Sequence, residues 1–477
     1  MPVNSAPSKR VVVVGGGITA LAAAHRLTEL DPAIELTLLE AADRLGGVIQ
    51  TVRRDDFLIE QSADNFITQA PAAVDLCRRI GIADELVETA SDNRAAMVVR
   101  RGRLVRVPAG FMLLAPARLW PLVTTPILSP WGKLRLLAEY FVPRRRVEQD
   151  ESLASFARRR LGREAFERIV QPLVGGIYAA DPERLSLEAT MPRFLHMERR
   201  YGSLIRAARA GARRAEGSDE SGARYGLFVT PREGLSSLVE ALAAKFPAGS
   251  IHLNSPVERI VADEDSAWRV TISQKAGPAT DVACDAVIVA TGAPQAASML
   301  AELDRELSVE LSRIAYAGTS IVSLAYRREQ IAHPLDGFGF VVPAAEKRRI
   351  LAGSFASLKF AGRAPDGSVL IRVFIGGACQ GELANLPDET LKLIAVDELR
   401  SLLGTSGQPL FALVARWPQS MPQYHLGHGE LVAAIERRVA HFHGLALAGN
   451  AYHGVGIPQC IASGESAAER IAAGLKG

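Results

Sequence analysis

Val11-Val12-Val13-Val14-Gly15-Gly16-Gly17-Ile18-Thr19-Ala20 is the stretch that decides the fold. Four consecutive apolar residues suit a strand buried on both faces, and the glycines that follow end it. Leu21 to Leu27 is a good helix-forming run, Pro32 stops it, and Ile34-Glu-Leu-Thr-Leu-Leu-Glu40 predicts a second strand. Strand, glycine-rich turn, helix, strand and terminal acid, in that order, make a Rossmann-type dinucleotide unit. Gly15 permits the tight turn. Gly17, with Gly16 before it, lets backbone approach a pyrophosphate held by the N–H groups and dipole of a helix opening at Ile18 and Thr19. Glu40 is placed to accept hydrogen bonds from an adenosine ribose, and Ala20 stands where the fingerprint has its third glycine.

Outward from that unit, 477 residues exceed one simple core and predict two or three domains. With 48% hydrophobic and 22% charged residues the composition is that of a globular chain, which excludes a largely disordered or collagen-like protein. Cys77, Cys284, Cys379 and Cys460 are far apart and form no C-x-x-C, which argues against a disulfide framework or cysteine zinc site and fits a reducing compartment. The apolar run after Arg10 is too short for a signal-peptide core. Residues 109–131 form the most apolar stretch, but Pro116, Pro121, Pro126 and Pro130 interrupt it, so no single helix crosses a membrane there. The expected location is cytoplasmic, with peripheral attachment to the inner face of the cell membrane left open.

The turn after the second strand carries the first family likeness. Glu40-Ala41-Ala-Asp-Arg44-Leu-Gly46-Gly47-Val48, followed by the hairpin strand Phe57-Leu-Ile-Glu60, resembles the signature of the amine-oxidase-like flavoproteins. The resemblance implies FAD rather than NAD. Arg44 would offset pyrophosphate charge and the glycine pair would let the chain pass a bulky ring system. It extends the expected cofactor-binding set to Ser62, Ala63 and Asp64 beyond the hairpin, to Val257 beside the adenine, and to Trp417. Leu445-Ala-Leu-Ala-Gly449-Asn450, then Gly454-Val455-Gly456-Ile457-Pro458 and an Ala-rich helix, completes it, with Asn450 where relatives usually carry Asp. Asp285 to Gly292 resembles the strand that returns to the nucleotide fold.

Leu173-Val-Gly-Gly176-Ile-Tyr-Ala-Ala-Asp-Pro-Glu-Arg-Leu-Ser186 narrows the likeness to the oxygen-dependent protoporphyrinogen and coproporphyrinogen oxidases. Asn93-Arg94, Pro231 to Leu235, Phe374-Ile-Gly-Gly377 and Trp417 to Tyr424 agree in order, although Ala180 replaces a glycine of the signature. The likeness implies FAD- and O₂-dependent removal of six electrons from a porphyrinogen, with hydrogen peroxide as the reduced product. Protoporphyrinogen IX is the expected substrate and coproporphyrinogen III the alternative. A flavin amine oxidase or carotenoid desaturase is the more distant enzyme reading, and a membrane-surface scaffold the non-enzymatic one. Arg94 is expected to hold a propionate, Gly176 to line the pocket, and Val341 and Phe374 to wall it. No catalytic side chain is identified.

From Arg94 to Val147 eleven Lys/Arg face one acid, Glu139, a strongly basic segment in a chain whose total is only +3. Trp120, Trp131, Tyr140 and Phe141 fall within it, a combination suited to an anionic membrane surface or a carboxylate-bearing substrate. No nucleic-acid reader motif accompanies the charge. His425, His428, His441, His443 and His453 match no standard zinc spacing, so no metal is expected. A homodimer and a handover partner of the haem pathway are further candidate partners.

The expected fold is α/β plus α+β. Its parts are a discontinuous FAD-binding domain over 1–92, 231–294 and 430–477, a helical basic subdomain over 93–208, and a mixed-sheet substrate domain over 209–230 and 295–429. Residues 209–226 are expected to form an exposed loop.

Overall fold

The apolar run forms the strand Arg10–Val14, the centre of a five-stranded parallel sheet in a computed structural model. The sheet order is Ile251–His252, Glu35–Leu39, Arg10–Val14, Ala286–Val289, Leu445–Leu447. The structure describes residues 8–90, 95–116, 118, 120–145, 149–215, 228–264, 267–274 and 277–476. Val11 and Val13 pack into the cluster on one face of this sheet, Val12 and Val14 into that on the other, so the strand is apolar throughout because both faces are covered. Helix Ile18–Leu30 covers one face. Helix Ile457–Leu475 crosses it so closely that a Cβ on Gly464 would stand 2.2 Å from the carbonyl oxygen of Thr19. The antiparallel sheet Val257–Ala262, Trp268–Ile272, Thr280–Cys284 contributes to the other face.

A second, mixed sheet has seven strands in the order Phe411–Pro422, Tyr316–Arg327, Ser368–Gly376, Ala352–Phe355, Gly339–Val341, Ala96–Arg100, Arg103–Arg106. One face carries Val322, Leu324, Ile371, Val373 and Phe340 and is sealed by Leu391, Ile394 and Leu399 of helix Asp388–Leu403. On the opposite face Val98, Val341, Ala352, Phe374, Ile321 and Ala415 stand in register across six strands. Residues 96–106 therefore belong to this sheet and not to the helical subdomain expected over 93–208. Short apolar runs, Met97-Val98-Val99 and Leu104-Val105, on either side of Gly102, where the chain turns at positive φ, suit a hairpin better than helices. Strand Phe228–Pro231 pairs with Phe66–Ile67 and Leu86–Glu88 instead of joining the substrate sheet.

The helical region contains Pro130–Leu137, Leu153–Leu161, Gln171–Tyr178, Pro192–Tyr201 and Leu204–Ala215. The last of these makes residues 209–215 helical where a loop was expected; residues 216–226 lie outside the described residues. At its centre Arg160 and Glu139 are both fully buried and paired. Arg160 also donates to the carbonyls of Val142 (2.9 Å) and Gly202 (3.0 Å), while Glu139 accepts from Ser203 Oγ (2.6 Å) and the amide of Leu204 (2.8 Å). Such a pair is tolerated in an interior only when its remaining donors and acceptors are satisfied.

Candidate active site

The C-terminal ends of the parallel strands bring Gly15, Glu40, Ala290 and Gly449 to one edge, flanking the central Arg10–Val14, which is where open α/β sheets bind ligands. Gly15 has φ +112°, and its N–H donates to the Leu39 carbonyl at 2.8 Å, tying the turn to the second strand. A Cβ on Gly15 would meet the Ala290 oxygen at 2.8 Å and one on Gly16 the Glu40 carboxylate at 2.7 Å. At Gly17 nothing lies within 4 Å of a Cβ. That open face borders the start of helix Ile18–Leu30, whose Gly17 cap offers its first N–H groups no side-chain acceptor. An approachable glycine, bare helix N–H groups and a carboxylate beside the turn suit the pyrophosphate and ribose of a dinucleotide.

Gly46 donates its N–H to the Gly16 carbonyl at 2.7 Å, and a Cβ on Gly47 would be 3.3 Å from the Gly17 Cα, so the two glycine turns lie against each other. Ala41, Gly47 and Val48 are exposed along this groove. Arg44 donates to the carbonyls of Leu45 (3.0 Å), Ile49 (3.1 Å) and Gly47 (2.6 Å), closing its own loop. Thr19 and Ala20 are buried at the first helix turn, with Cys460 of the C-terminal helix bonded to Thr19, and burial pushes the Cys460 thiol up to about 11. Val257 is buried with Val14 and Leu39. Gly449, with φ +135°, donates its N–H to Ser463 Oγ at 3.0 Å, and Asn450 Nδ2 donates to the Ser420 carbonyl at 3.3 Å. Gly456 caps helix Ile457–Leu475 without a side-chain acceptor, a second helix start with free N–H groups. Val455 packs against the helical region's core instead.

On the large sheet, a Cβ added to Gly176 would be 3.2 Å from Val341 Cγ1, so helix Gln171–Tyr178 rests on the row that contains Val341 and Phe374. Phe374 and Val341 are only half-buried although they lie on inner strands of a seven-stranded sheet, so this row of the sheet face is not fully covered. Ala179 turns the chain out of the helix in the left-handed region, φ +48°, and its carbonyl accepts from the Ala378 N–H at 2.7 Å. The two signature segments 173–186 and 374–377 therefore touch. Arg94 lies outside the described residues.

Sequence reasoning missed three positions here, Arg372, Lys359 and Tyr424. Arg372 stands two residues before Phe374 on the same sheet face, its guanidinium 5.3 Å from the Phe374 ring and 1% exposed. It pairs with Asp64 (3.3 Å) and bonds the Ser62 carbonyl, while Lys359, at the end of helix Ala356–Lys359, reaches Asp64 at 3.2 Å. Burial raises the Asp64 carboxyl, but Lys359 and Arg372 outweigh it and hold the group below the usual carboxylate range. Two cations on one carboxylate leave a local excess of positive charge. Ser62 is half-buried and Ala63 exposed, with Trp417 Nε1 donating to the Gln61 carbonyl at 2.6 Å. The overlooked signal was a single arginine inside Ser368-Val-Leu-Ile-Arg-Val-Phe-Ile-Gly376, an otherwise apolar strand. Tyr424, buried at 2% exposure, was noted only as the end of a motif.

With this geometry in view, the family model for flavin containing amine oxidoreductases matches residues 20–472. The chain belongs to that family. A coproporphyrinogen III oxidase of Propionibacterium freudenreichii subsp. freudenreichii is 34% identical, with 97% of this chain and 90% of that protein covered. A coproporphyrinogen III oxidase of Bacillus subtilis (strain 168) is 32% identical over 96% of this chain and 97% of that one. A crystal structure from Exiguobacterium sp. 255-15 superposes with a TM-score of 0.86 at 30% identity, covering 98% and 99% of the two chains. This flavin oxidoreductase is thus a member of the porphyrinogen oxidase branch, and its cofactor is FAD. The glycine turns, Glu40 and the two uncapped helix starts are the residues that fit that cofactor.

Proposed function

We propose that the protein oxidises coproporphyrinogen III, in preference to protoporphyrinogen IX, to the corresponding porphyrin. The expected substrate order is thereby reversed, and the observation that carries the choice is the cation excess of Lys359 and Arg372 over Asp64 beside the Phe374 row. A tetracarboxylate gains more from such a site than a dicarboxylate does, because every additional carboxylate is attracted to it. Similarity to two proteins named for the tetracarboxylate supports the same order.

The net reaction consumes three O₂ and releases three H₂O₂ per porphyrinogen. When bound, FAD accepts two electrons with a hydrogen from a bridging carbon and passes them to O₂, so three rounds are needed. The chain's own contribution is positional. Val341, Phe374 and the helix face at Gly176 flank the macrocycle with apolar surface and keep water from the reacting carbon, while Lys359, 16% exposed, is the cation that a propionate reaches. Arg372, behind it, fixes Asp64 and the Ser62 carbonyl. No side chain is assigned as a base. Steady-state kinetics on both porphyrinogens, followed by porphyrin fluorescence under air, test the reading. Higher kcat/KM for coproporphyrinogen III is expected, with Lys359→Met raising KM for that substrate about tenfold and for the other less. Preference for protoporphyrinogen IX in the unaltered enzyme would reverse the substrate order.

A second reading concerns location. Trp120 (76% exposed), Trp131 (79%), Leu134 (58%) and Phe141 (79%) stand out from the helical region beside Lys133 and Arg118. Among the described residues no helix is long and apolar enough to cross a membrane. We infer peripheral docking of this patch on an anionic bilayer. Sedimentation with vesicles containing anionic lipid should carry the protein down at low salt and release it at high salt; equal pelleting with neutral vesicles would exclude the electrostatic component.

A further inference from the structure

We propose that Tyr424 is a positioning residue that couples porphyrin binding to FAD binding. The inference rests on the reading that segment 173–186 borders the substrate cavity and 449–457 holds the cofactor. Tyr424 is bonded to both segments. Its hydroxyl donates to the Asn450 carbonyl and accepts from the Gly454 N–H at 2.8 Å, so one side chain closes the loop between strand Leu445–Leu447 and helix Ile457–Leu475. Its carbonyl accepts from the Ser186 N–H at 2.8 Å, and Leu185 and His425 form an adjacent bridge. The ring is stacked on His428, centroids 4.0 Å apart and planes 11° from parallel, and His428 is itself bonded to the Tyr452 carbonyl at 3.1 Å. A residue whose ring is buried and stacked, whose hydroxyl is bonded at two points of one segment and whose carbonyl is bonded to the other has no freedom to follow one segment without the other. Ordering segment 173–186 against a bound macrocycle thus also orders the loop that leads into the Gly456 helix start, and the effect on affinity must be reciprocal.

Tyr452 supplies an internal control. It belongs to the same loop and is buried, but its hydroxyl has no hydrogen-bond partner among the described residues. The experiment is titration of apoprotein with FAD, followed by flavin fluorescence and visible circular dichroism, with and without saturating coproporphyrin III. In the unaltered protein the porphyrin should tighten FAD binding several-fold. Tyr424→Phe leaves the Gly454 N–H unpaired, and should weaken FAD binding about tenfold and abolish the porphyrin effect. Tyr452→Phe should match the unaltered protein. A merely structural role would lower thermal stability without removing the coupling. Unchanged coupling in Tyr424→Phe, or an equal loss in Tyr452→Phe, would overturn the inference. Should Tyr424→Phe not fold, amide exchange on the unaltered holoprotein replaces it: peptides spanning 450–456 gain protection on adding porphyrin if the inference holds, and unchanged protection refutes it. If the unaltered protein binds FAD but no porphyrin, the substrate reading has failed instead.

Discussion

Asp64 is held in its charged form by side chains from a distant part of the chain. Its carboxylate is shared by Lys359 and Arg372, and because these hold its pKa below the ordinary value, the stabilisation is present above the usual carboxylate range. It is lost as pH falls through the depressed folded value. Asp64→Asn should cost roughly 3–5 kcal/mol, the amount seen when one partner of a buried pair is removed, by leaving two cations unpaired. Its melting temperature should also fall less steeply with acid than that of the unaltered protein; parallel pH curves would show that Asp64 carries none of the acid sensitivity. Glu60, nearby on strand Phe57–Glu60, is shifted the other way. Burial raises it, opposed by donors from the Leu235 amide and Thr51 Oγ1. These partners are distant in sequence, so neither shift could be read from neighbours along the chain.

Elements carry the next two predictions. Helix Ile457–Leu475 meets helix Ile18–Leu30 at Gly464, where a methyl group would run into the Thr19 carbonyl. Gly464→Ala should destabilise by about 1–3 kcal/mol. It should also weaken FAD binding, since the two helices pushed apart begin at Gly17 and Gly456, the helix starts that fit the cofactor; thermal melts and flavin retention on gel filtration read both effects. Within the helical region, Arg160→Leu leaves Glu139 buried without its cation and should cost about 3–5 kcal/mol, whereas replacing both by apolar residues of similar volume should recover most of it. Denaturant unfolding of the single and double variants separates these outcomes. The hairpin at residues 96–106 shows why element boundaries were misread. Its four arginines, at 100, 101, 103 and 106, drew it into the basic segment, and charge says nothing about which sheet a strand joins.

At the scale of the whole molecule, the two glycine-rich blocks proposed to hold FAD, Gly15–Val48 and Gly449–Ile457, lie far apart in the chain but meet at one edge of the parallel sheet. Saturating FAD at about 100 times its Kd should therefore raise global stability by about 2.7 kcal/mol. A calorimetric scan in which FAD shifts only one of two transitions would show that the substrate sheet unfolds independently of the cofactor domain. The nucleotide unit was legible because its chemistry is local: glycines at fixed spacing, a buried strand and an acid within the first forty residues. Gly176 and Phe374 lie in recognisable segments, and the fold sets Gly176 against Val341, in the same cross-strand row as Phe374. The ion triad, the Tyr424 joint and the membership of strand Ala96–Arg100 were not legible, because each depends on a contact between segments tens to hundreds of residues apart. The sequence by itself determined the fold class, the flavin and the enzyme family, through backbone requirements that only glycine and helix starts meet. Tertiary structure alone decided where two cations gather on one carboxylate beside the Phe374 row, since burial and cross-strand register are properties of the assembled chain.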